Sequence, residues 1–105
     1  PVIKPFQSKN CYSSRHLYVI RLKLGIIAKS RREVFDYLRE HGVGAMIHYI
    51  PVPSQPYYKY MGFSEEDYPN GLSYYNESIS LPLFPKMTQQ EQDKVVSVLQ
   101  DILAQ

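Results

Sequence analysis

The segment from His48 to Tyr60 carries the side chains of this sequence that are best suited to ligand chemistry. It reads His-Tyr-Ile-Pro-Val-Pro-Ser-Gln-Pro-Tyr-Tyr-Lys-Tyr and follows a stretch rich in strand-forming residues. Tyrosine combines a flat apolar ring with a hydroxyl, which suits a sugar or a nucleotide. Prolines reduce the entropy that a loop loses on ordering, and loops at strand ends often carry binding residues. The pattern fits a ligand-binding loop, and it fits equally well rings that cover the sheet and pack against a further domain.

Motifs of several other kinds of site are absent from the sequence. Its five glycines lack the spacing of a P-loop or a dinucleotide-binding turn. Its three histidines are not spaced as a metal motif, and no Gly-x-Ser-x-Gly elbow is present for acyl transfer. The acidic cluster at residues 65–67 is interpreted as a solvated loop. We therefore expect neither a metal site nor a nucleophile of these classes.

The remaining candidate side chains are placed by the strands that carry them. Arg15 and His16 open a predicted first strand, whereas His48 ends a predicted second one. If the two strands are parallel, these residues lie at opposite ends of the sheet and do not share a site within this chain. For each histidine taken alone, a packed or hydrogen-bonded role is the default interpretation. The basic pair Arg31-Arg32 is interpreted as part of a solvated helix face.

Two helices have their starting points encoded in the sequence. Ser30 and Glu33 have the spacing of a capping box, and Gly42 suits the left-handed residue that ends a helix, so residues 31–41 are predicted to be helical. Residues 88–91 form a second capping box ahead of the last helix. Its apolar stripe has helical spacing and comprises Val95, Val96, Leu99, Ile102 and Leu103.

Strands are predicted at residues 16–24, 45–50 and 79–83, from their content of β-forming residues and their bounding glycines and prolines. A short helical turn is predicted at residues 57–61 and a helix at residues 69–77, with proline in its first turn. The short joins around the first helix favour a βαβ crossover with a parallel pair of strands. The order β, α, β, loop, short α, β, α predicts an α+β fold, a two-layer sandwich with helices on one face of a small sheet.

Composition limits the kind of protein this is. The 105 residues fit one domain, and the 44% hydrophobic and 21% charged content is that of a globular chain. Cys11 is the only cysteine, so it forms no internal disulfide, which is compatible with a reducing cytoplasm. No apolar run is long enough to span a membrane. Residues 1–14 are predicted to be an entry segment or linker, and because the first residue is Pro1, we expect sequence to precede it.

Four segments in chain order carry a family pattern. They are residues 14–20 (SRHLYVI), 42–52 (GVGAMIHYIPV), 55–58 (QPYY) and 79–88 (ISLPLFPKMT). Together they resemble the C-terminal small domain of the DegT/DnrJ/StrS family of sugar aminotransferases, over about residues 12–103. The His-Tyr-Ile-Pro-Val form is most similar to the aminotransferases of pseudaminic-acid and spore-coat sugar synthesis.

The resemblance implies a fold-type-I enzyme that is dependent on pyridoxal phosphate (PLP), usually a homodimer. Such an enzyme moves an amino group, typically from glutamate, to a nucleotide-linked keto-sugar for cell-surface or capsule polysaccharides. Its larger N-terminal domain binds PLP and carries the Schiff-base lysine. The seven lysines of this chain match no such motif, so residues 15–105 are expected to be a small domain without catalytic residues, inactive alone. From the small net charge, the short apolar runs and the single cysteine we expect a cytoplasmic protein with neither nucleic-acid nor membrane partners.

In this family the small domain closes over the cofactor cleft and lines the substrate entrance. By position, the resemblance implies that residues 51–58 form the wall of that entrance. The substrate contacts that it implies are His48, Tyr49, Gln55, Tyr57 and Tyr58.

Two alternatives compete with this reading. A free-standing binding or regulatory module with a ferredoxin-like sandwich would present a closed, polar surface on both sides of its sheet. An RNA-binding module would suit the net charge of +2 and the many aromatic residues, but it requires a sheet-face Arg/Lys-Gly-Phe-type motif that the sequence lacks.

Overall fold

Three short strands form one antiparallel sheet in the computed structural model, which describes residues 1–105. In chain order they are β1 (Val2–Ile3), β2 (Tyr18–Leu22) and β3 (Ser78–Leu81), and β2 lies in the middle. The register places Ile20 of β2 opposite Ile79 of β3. Because side chains alternate along a strand, both isoleucines point to the same face of the sheet.

The helices are bounded largely as their sequence signals predict. They are α1 (Arg31–Glu40), α2 (Pro56–Tyr60), α3 (Pro69–Glu77) and α4 (Gln89–Leu103), with 3-10 turns at Val52–Ser54 and Glu65–Asp67. Both predicted capping boxes are present, because the Ser30 and Thr88 hydroxyls accept from backbone N–H groups three residues on. Gly42 has φ +74°, the left-handed geometry that glycine adopts without a Cβ penalty.

The predicted strand at residues 45–50 and its parallel pairing with the first strand are wrong. Only Met46 pairs with the sheet, through an antiparallel bridge to Ser80 of β3. The chain at Met46 therefore runs in the same direction as β2, but β3 lies between the two. The local sequence correctly indicates a crossover that returns the chain parallel to β2. The strand that lies between β2 and Met46 is β3, which comes from residues more than 30 positions further along the chain.

The first strand of the sheet lies within the stretch predicted to be an irregular entry segment. Val2 pairs with Leu22 and Ile3 pairs with Arg21, so the amino end of the chain forms an edge strand. Val2 also packs against the core. Two residues are too few for strand alternation to be recognisable in a sequence.

The hydrophobic core lies between one face of the sheet and the two longest helices, α1 and α4. Its nine buried members are Ile20, Leu22, Val34, Leu38, Val43, Ala45, Ile79, Val95 and Ile102. Every strand residue in that set belongs to the same alternating face, since residues 19, 21, 78 and 80 point the other way. The fold is therefore α+β in two layers, as predicted.

This sandwich leaves an unusually large surface outside its core. Only 11 of the 105 residues are buried, and the accessible surface is 7718 Å², against about 6,100 Å² for a compact monomer of this mass. The radius of gyration is 15.5 Å, compared with about 13 Å for a compact chain of this length. None of the helices combines the length and apolar character that crossing a membrane requires. Twenty large hydrophobic side chains are exposed, many of them in residues 46–63.

Candidate functional site

His48 lies just beyond the bridge between Met46 and β3, on a chain segment that is leaving the sheet. The imidazole is half-buried, and its Nδ1 is 2.8 Å from the hydroxyl oxygen of Ser80. Its Nε2 has no partner in the chain and is not among the buried unpaired atoms, so it is accessible from outside. The peptide bond between His48 and Tyr49 is cis. The structure thus holds one ring nitrogen and leaves the other free.

Tyr49 is largely exposed, with 74% of its surface accessible. Its ring meets that of His48 edge-on, with centroids 4.7 Å apart and an interplanar angle of 82°. This is a favourable arrangement for two aromatic rings, because the positive edge of one meets the negative face of the other. The pair presents an imidazole nitrogen and a phenol side by side at the surface.

The remaining predicted contact residues lie on α2 and the residue before it. Gln55 is half-buried and has an extended backbone conformation, and its backbone carbonyl accepts from the N–H of Lys59. Tyr57 and Tyr58 meet edge-on at 5.3 Å, and Tyr58 also packs edge-on against Phe63 at 5.9 Å. The exposed helix therefore has a fixed cluster of rings, although no hydrogen bond or ring contact joins this cluster to His48 and Tyr49.

Glu65 holds the segment that carries Gln55, Tyr57 and Tyr58 through contacts at both of its ends. The Ser54 hydroxyl donates a short hydrogen bond to Oε2 of Glu65, and Nζ of Lys59 lies 3.8 Å from the same oxygen. Glu65 is half-buried in a 3-10 turn that Ser64 caps. The prediction of a solvated loop is therefore wrong for Glu65, whereas its neighbours Glu66 and Asp67 are exposed. No local sequence signal identifies this contact, because the two partners are 11 residues apart.

The sheet face opposite the core carries an ion pair that was not predicted. Arg21 of β2 donates to Oε2 of Glu77 at 2.7 Å, and the two side chains are 37% and 23% exposed. Glu77 also accepts from the Ser73 hydroxyl, and the guanidinium lies over the Tyr74 ring. The hydrogen bonds from Arg21 and then Ser73 hold the pKa of Glu77 below its ordinary value. These contacts hold α3 against β2.

Arg15 lies at the other end of the sheet from His48, as the predicted strand directions require. Its φ is +49°, and its guanidinium donates to the carbonyl of Pro5 and to Oε1 of Gln7. With Tyr18 and Phe84 it lines a cleft of about 410 Å³. His16 is exposed nearby. None of the predicted contact residues lines this cleft, so the two ends of the sheet are separate regions.

Comparison with known proteins supports the resemblance seen in the sequence. The model of the DegT/DnrJ/EryC1/StrS aminotransferase family matches residues 2–100. The chain is 36% identical over 104 residues to the spore coat polysaccharide biosynthesis protein SpsC of Bacillus subtilis, covering 97% of this chain and 27% of SpsC. It is 31% identical over 96 residues to a pleiotropic regulatory protein of Geobacillus stearothermophilus, covering 90% and 24%.

Solved structures are similar over the same region. Spr1654 of Streptococcus pneumoniae, assigned as a sugar aminotransferase, matches in its PLP form with a TM-score of 0.87 and 26% identity, over 98% of this chain and 26% of that one. Its PMP form matches with a TM-score of 0.78 and 29% identity, over 88% and 23%. The chain thus spans about a quarter of the length of these relatives.

The family match covers nearly the whole chain, and the likeness of fold extends over the same residues. Both agree with the four sequence segments that carry the family pattern. This chain therefore belongs to the DegT/DnrJ/EryC1/StrS aminotransferase family.

Proposed function

We propose that the protein containing this chain is a PLP-dependent transaminase that moves an amino group from glutamate to a nucleotide-linked keto-sugar. The products would enter cell-surface or capsule polysaccharides. The observation that carries the proposal is the likeness, over 98% of this chain, to the PLP form of Spr1654. The similarity to SpsC, named for spore coat polysaccharide biosynthesis, supports a sugar substrate.

Within that enzyme, residues 15–105 act as the small domain that closes over the cofactor cleft and lines the substrate entrance. Residues 1–14 lead in from a larger preceding domain, and within them β1 adds an edge strand to the sheet of the small domain. The twenty exposed large hydrophobic side chains support this assignment, because a large exposed apolar surface commonly marks an interface. The relatives, about four times as long, have room for the larger partner domain.

The residues of this chain do not form a PLP site by themselves. A Schiff-base lysine requires an enclosed amine, yet six of the seven lysines are exposed and Lys29 is only half-buried. When bound, PLP supplies the electron sink that transamination needs. The cofactor and its lysine are therefore assigned to the large domain, and the segment alone is inactive.

The contribution of this chain is to bind and orient the sugar nucleotide. His48 offers its accessible Nε2, and Tyr49 and Tyr57 offer exposed rings and hydroxyls. Gln55 adds an amide that makes no hydrogen bond within the chain, and Tyr58 supports the ring of Tyr57. Aromatic faces stack on sugars and bases while their hydroxyls bond polar groups, so this set suits a ligand that is partly apolar and partly polar.

The enzyme is proposed to be a cytoplasmic homodimer. Dimers with two-fold symmetry are the commonest soluble oligomers. A single exposed cysteine suits a reducing compartment, where unpaired thiols persist.

The alternative, a free-standing binding or regulatory module, requires a closed polar surface. The exposure of twenty large hydrophobic side chains argues against it. We therefore do not adopt the regulatory module, although one relative carries the name of a regulatory protein.

The proposal is tested by the visible absorption spectrum of the protein purified at its natural length. We expect an absorption band of bound PLP that is lost when glutamate is added. Restoration of the band by a nucleotide-linked keto-sugar would then identify the acceptor. A protein of natural length that binds no PLP under any of these conditions refutes the proposal.

A further inference from the structure

The orientation of His48 depends on a side chain from a distant strand. Ser80 lies in the middle of β3, with 4% of its surface exposed, on the face opposite the core. Its hydroxyl oxygen is 2.8 Å from Nδ1 of His48, across a separation of 32 residues. This is the only side-chain hydrogen bond that either residue makes within the chain.

The direction of this hydrogen bond follows from an inventory of protons. A serine hydroxyl has one proton to donate, and a neutral imidazole has one N–H and one acceptor nitrogen. If Nδ1 carried the proton and donated to Ser80, the hydroxyl proton would be left without an acceptor, because no other acceptor within the chain bonds it. At 4% exposure little water reaches it, and an unsatisfied buried donor is costly. The favoured arrangement has the hydroxyl donating to Nδ1.

We propose that Ser80 is a positioning residue that holds neutral His48 in the Nε2–H tautomer. The accessible Nε2 then carries the proton, so His48 presents a hydrogen-bond donor at the surface and cannot act there as a base. An oxygen acceptor of the bound sugar nucleotide, such as a sugar hydroxyl or a phosphate oxygen, is the matching partner. This role toward substrate rests on the proposed function, whereas the tautomer follows from the contact within the chain.

The second serine of β3 provides a matched control. Ser78 lies on the same face as Ser80 and is equally buried, at 3% exposed. Its hydroxyl donates to the carbonyl of Tyr74 and makes no hydrogen bond to His48. Ser78→Ala therefore removes an equivalent hydroxyl from the same strand without changing the contact with the imidazole. Ser80→Thr keeps a hydroxyl at the position and tests whether that group alone is required.

The experiment is nitrogen NMR of the natural-length protein labelled with ¹⁵N-histidine, at about pH 8, where histidines are ordinarily neutral. His48→Gln identifies the signals of His48 by their loss. We expect one protonated nitrogen, Nε2, and one unprotonated nitrogen, Nδ1, with widely separated shifts. Ser80→Ala should move both shifts toward each other as the tautomers mix, while Ser78→Ala and Ser80→Thr should leave them unchanged.

Each contrary outcome overturns the inference. A protonated Nδ1 in the unmodified protein reverses the direction of the bond. Shifts that are the same in Ser80→Ala, or that move as much in Ser78→Ala, show that Ser80 does not select the tautomer. None of these results depends on PLP or on turnover, so the inference can fail while the aminotransferase assignment stands, and the reverse.

Discussion

Glu65 is expected to hold residues 54–59, which carry Tyr57 and Tyr58, in their observed conformation. We call this segment the tyrosine-bearing loop, and Glu65→Ala tests the role of Glu65 most directly. The substitution removes the acceptor for the Ser54 hydroxyl and the carboxylate 3.8 Å from Lys59. A hydrogen bond to a charged group contributes about 1.5–3 kcal/mol, and the lower end applies here because Glu65 is 37% exposed. The exposed pair with Lys59 adds about 0–1 kcal/mol, which is further reduced by salt.

A loss of about 1.5 kcal/mol should raise the population of the opened loop roughly tenfold. The assay is amide hydrogen exchange, which reports local opening. The amides to follow are those of Gln55 and Lys59, which bond the carbonyls of Val52 and Gln55. We expect their exchange to accelerate in Glu65→Ala, while the amides of β2 and β3 keep their rates.

Three variants separate the contributions. Glu66→Ala removes an exposed neighbouring carboxylate that caps nothing and should leave exchange unchanged. Glu65→Gln keeps an acceptor oxygen for Ser54 but no charge, so it should recover most of the protection. Lys59→Met should have a small effect. The reasoning is refuted if the two amides exchange at the same rate in Glu65→Ala as in the unmodified protein.

Three further predictions concern the site, the core and acid stability. His48→Ala in the natural-length enzyme should lower turnover of the sugar nucleotide more than retention of PLP, measured by steady-state kinetics and the absorption band; equal losses would indicate a structural role. Leu38→Ala, at a side chain with no exposed surface, should lower the free energy of unfolding by about 2–5 kcal/mol in urea, whereas Val96→Ala at an exposed position should cost much less. Because the pKa of Glu77 is lowered in the folded state, its contribution is complete above the ordinary glutamate value of 4.5 and is lost as pH falls through the folded pKa. Glu77→Gln should therefore flatten the acid side of the stability profile, and an unchanged profile would show that the pair with Arg21 contributes nothing.

The sequence predicted those features that depend on interactions between residues only a few positions apart. Ser30 with Glu33, and Thr88 with Glu91, satisfy the free N–H groups of their own helix, so these starts are legible within four residues. Gly42 ends α1 because the required positive φ costs glycine little.

Contacts between distant residues were not predictable in the same way. The pairs Ser54–Glu65, His48–Ser80 and Arg21–Glu77 are separated by 11, 32 and 56 residues. Periodicity and capping act within a helical turn or along one strand, so they carry no information about such partners. The insertion of β3 between β2 and the Met46 segment has the same origin, since several strand orders satisfy the same alternation.

The sequence by itself determined the family, the α+β class, the helix ends and the side chains available for binding. Its four ordered segments and its capping boxes are properties of short stretches, and they survive any rearrangement of the rest. Only the tertiary structure decided which nitrogen of His48 is accessible, and that Glu65 secures the loop. Both depend on where β3 and the acidic turn pack, because a hydrogen bond exists only when packing brings its donor and acceptor within about 3 Å.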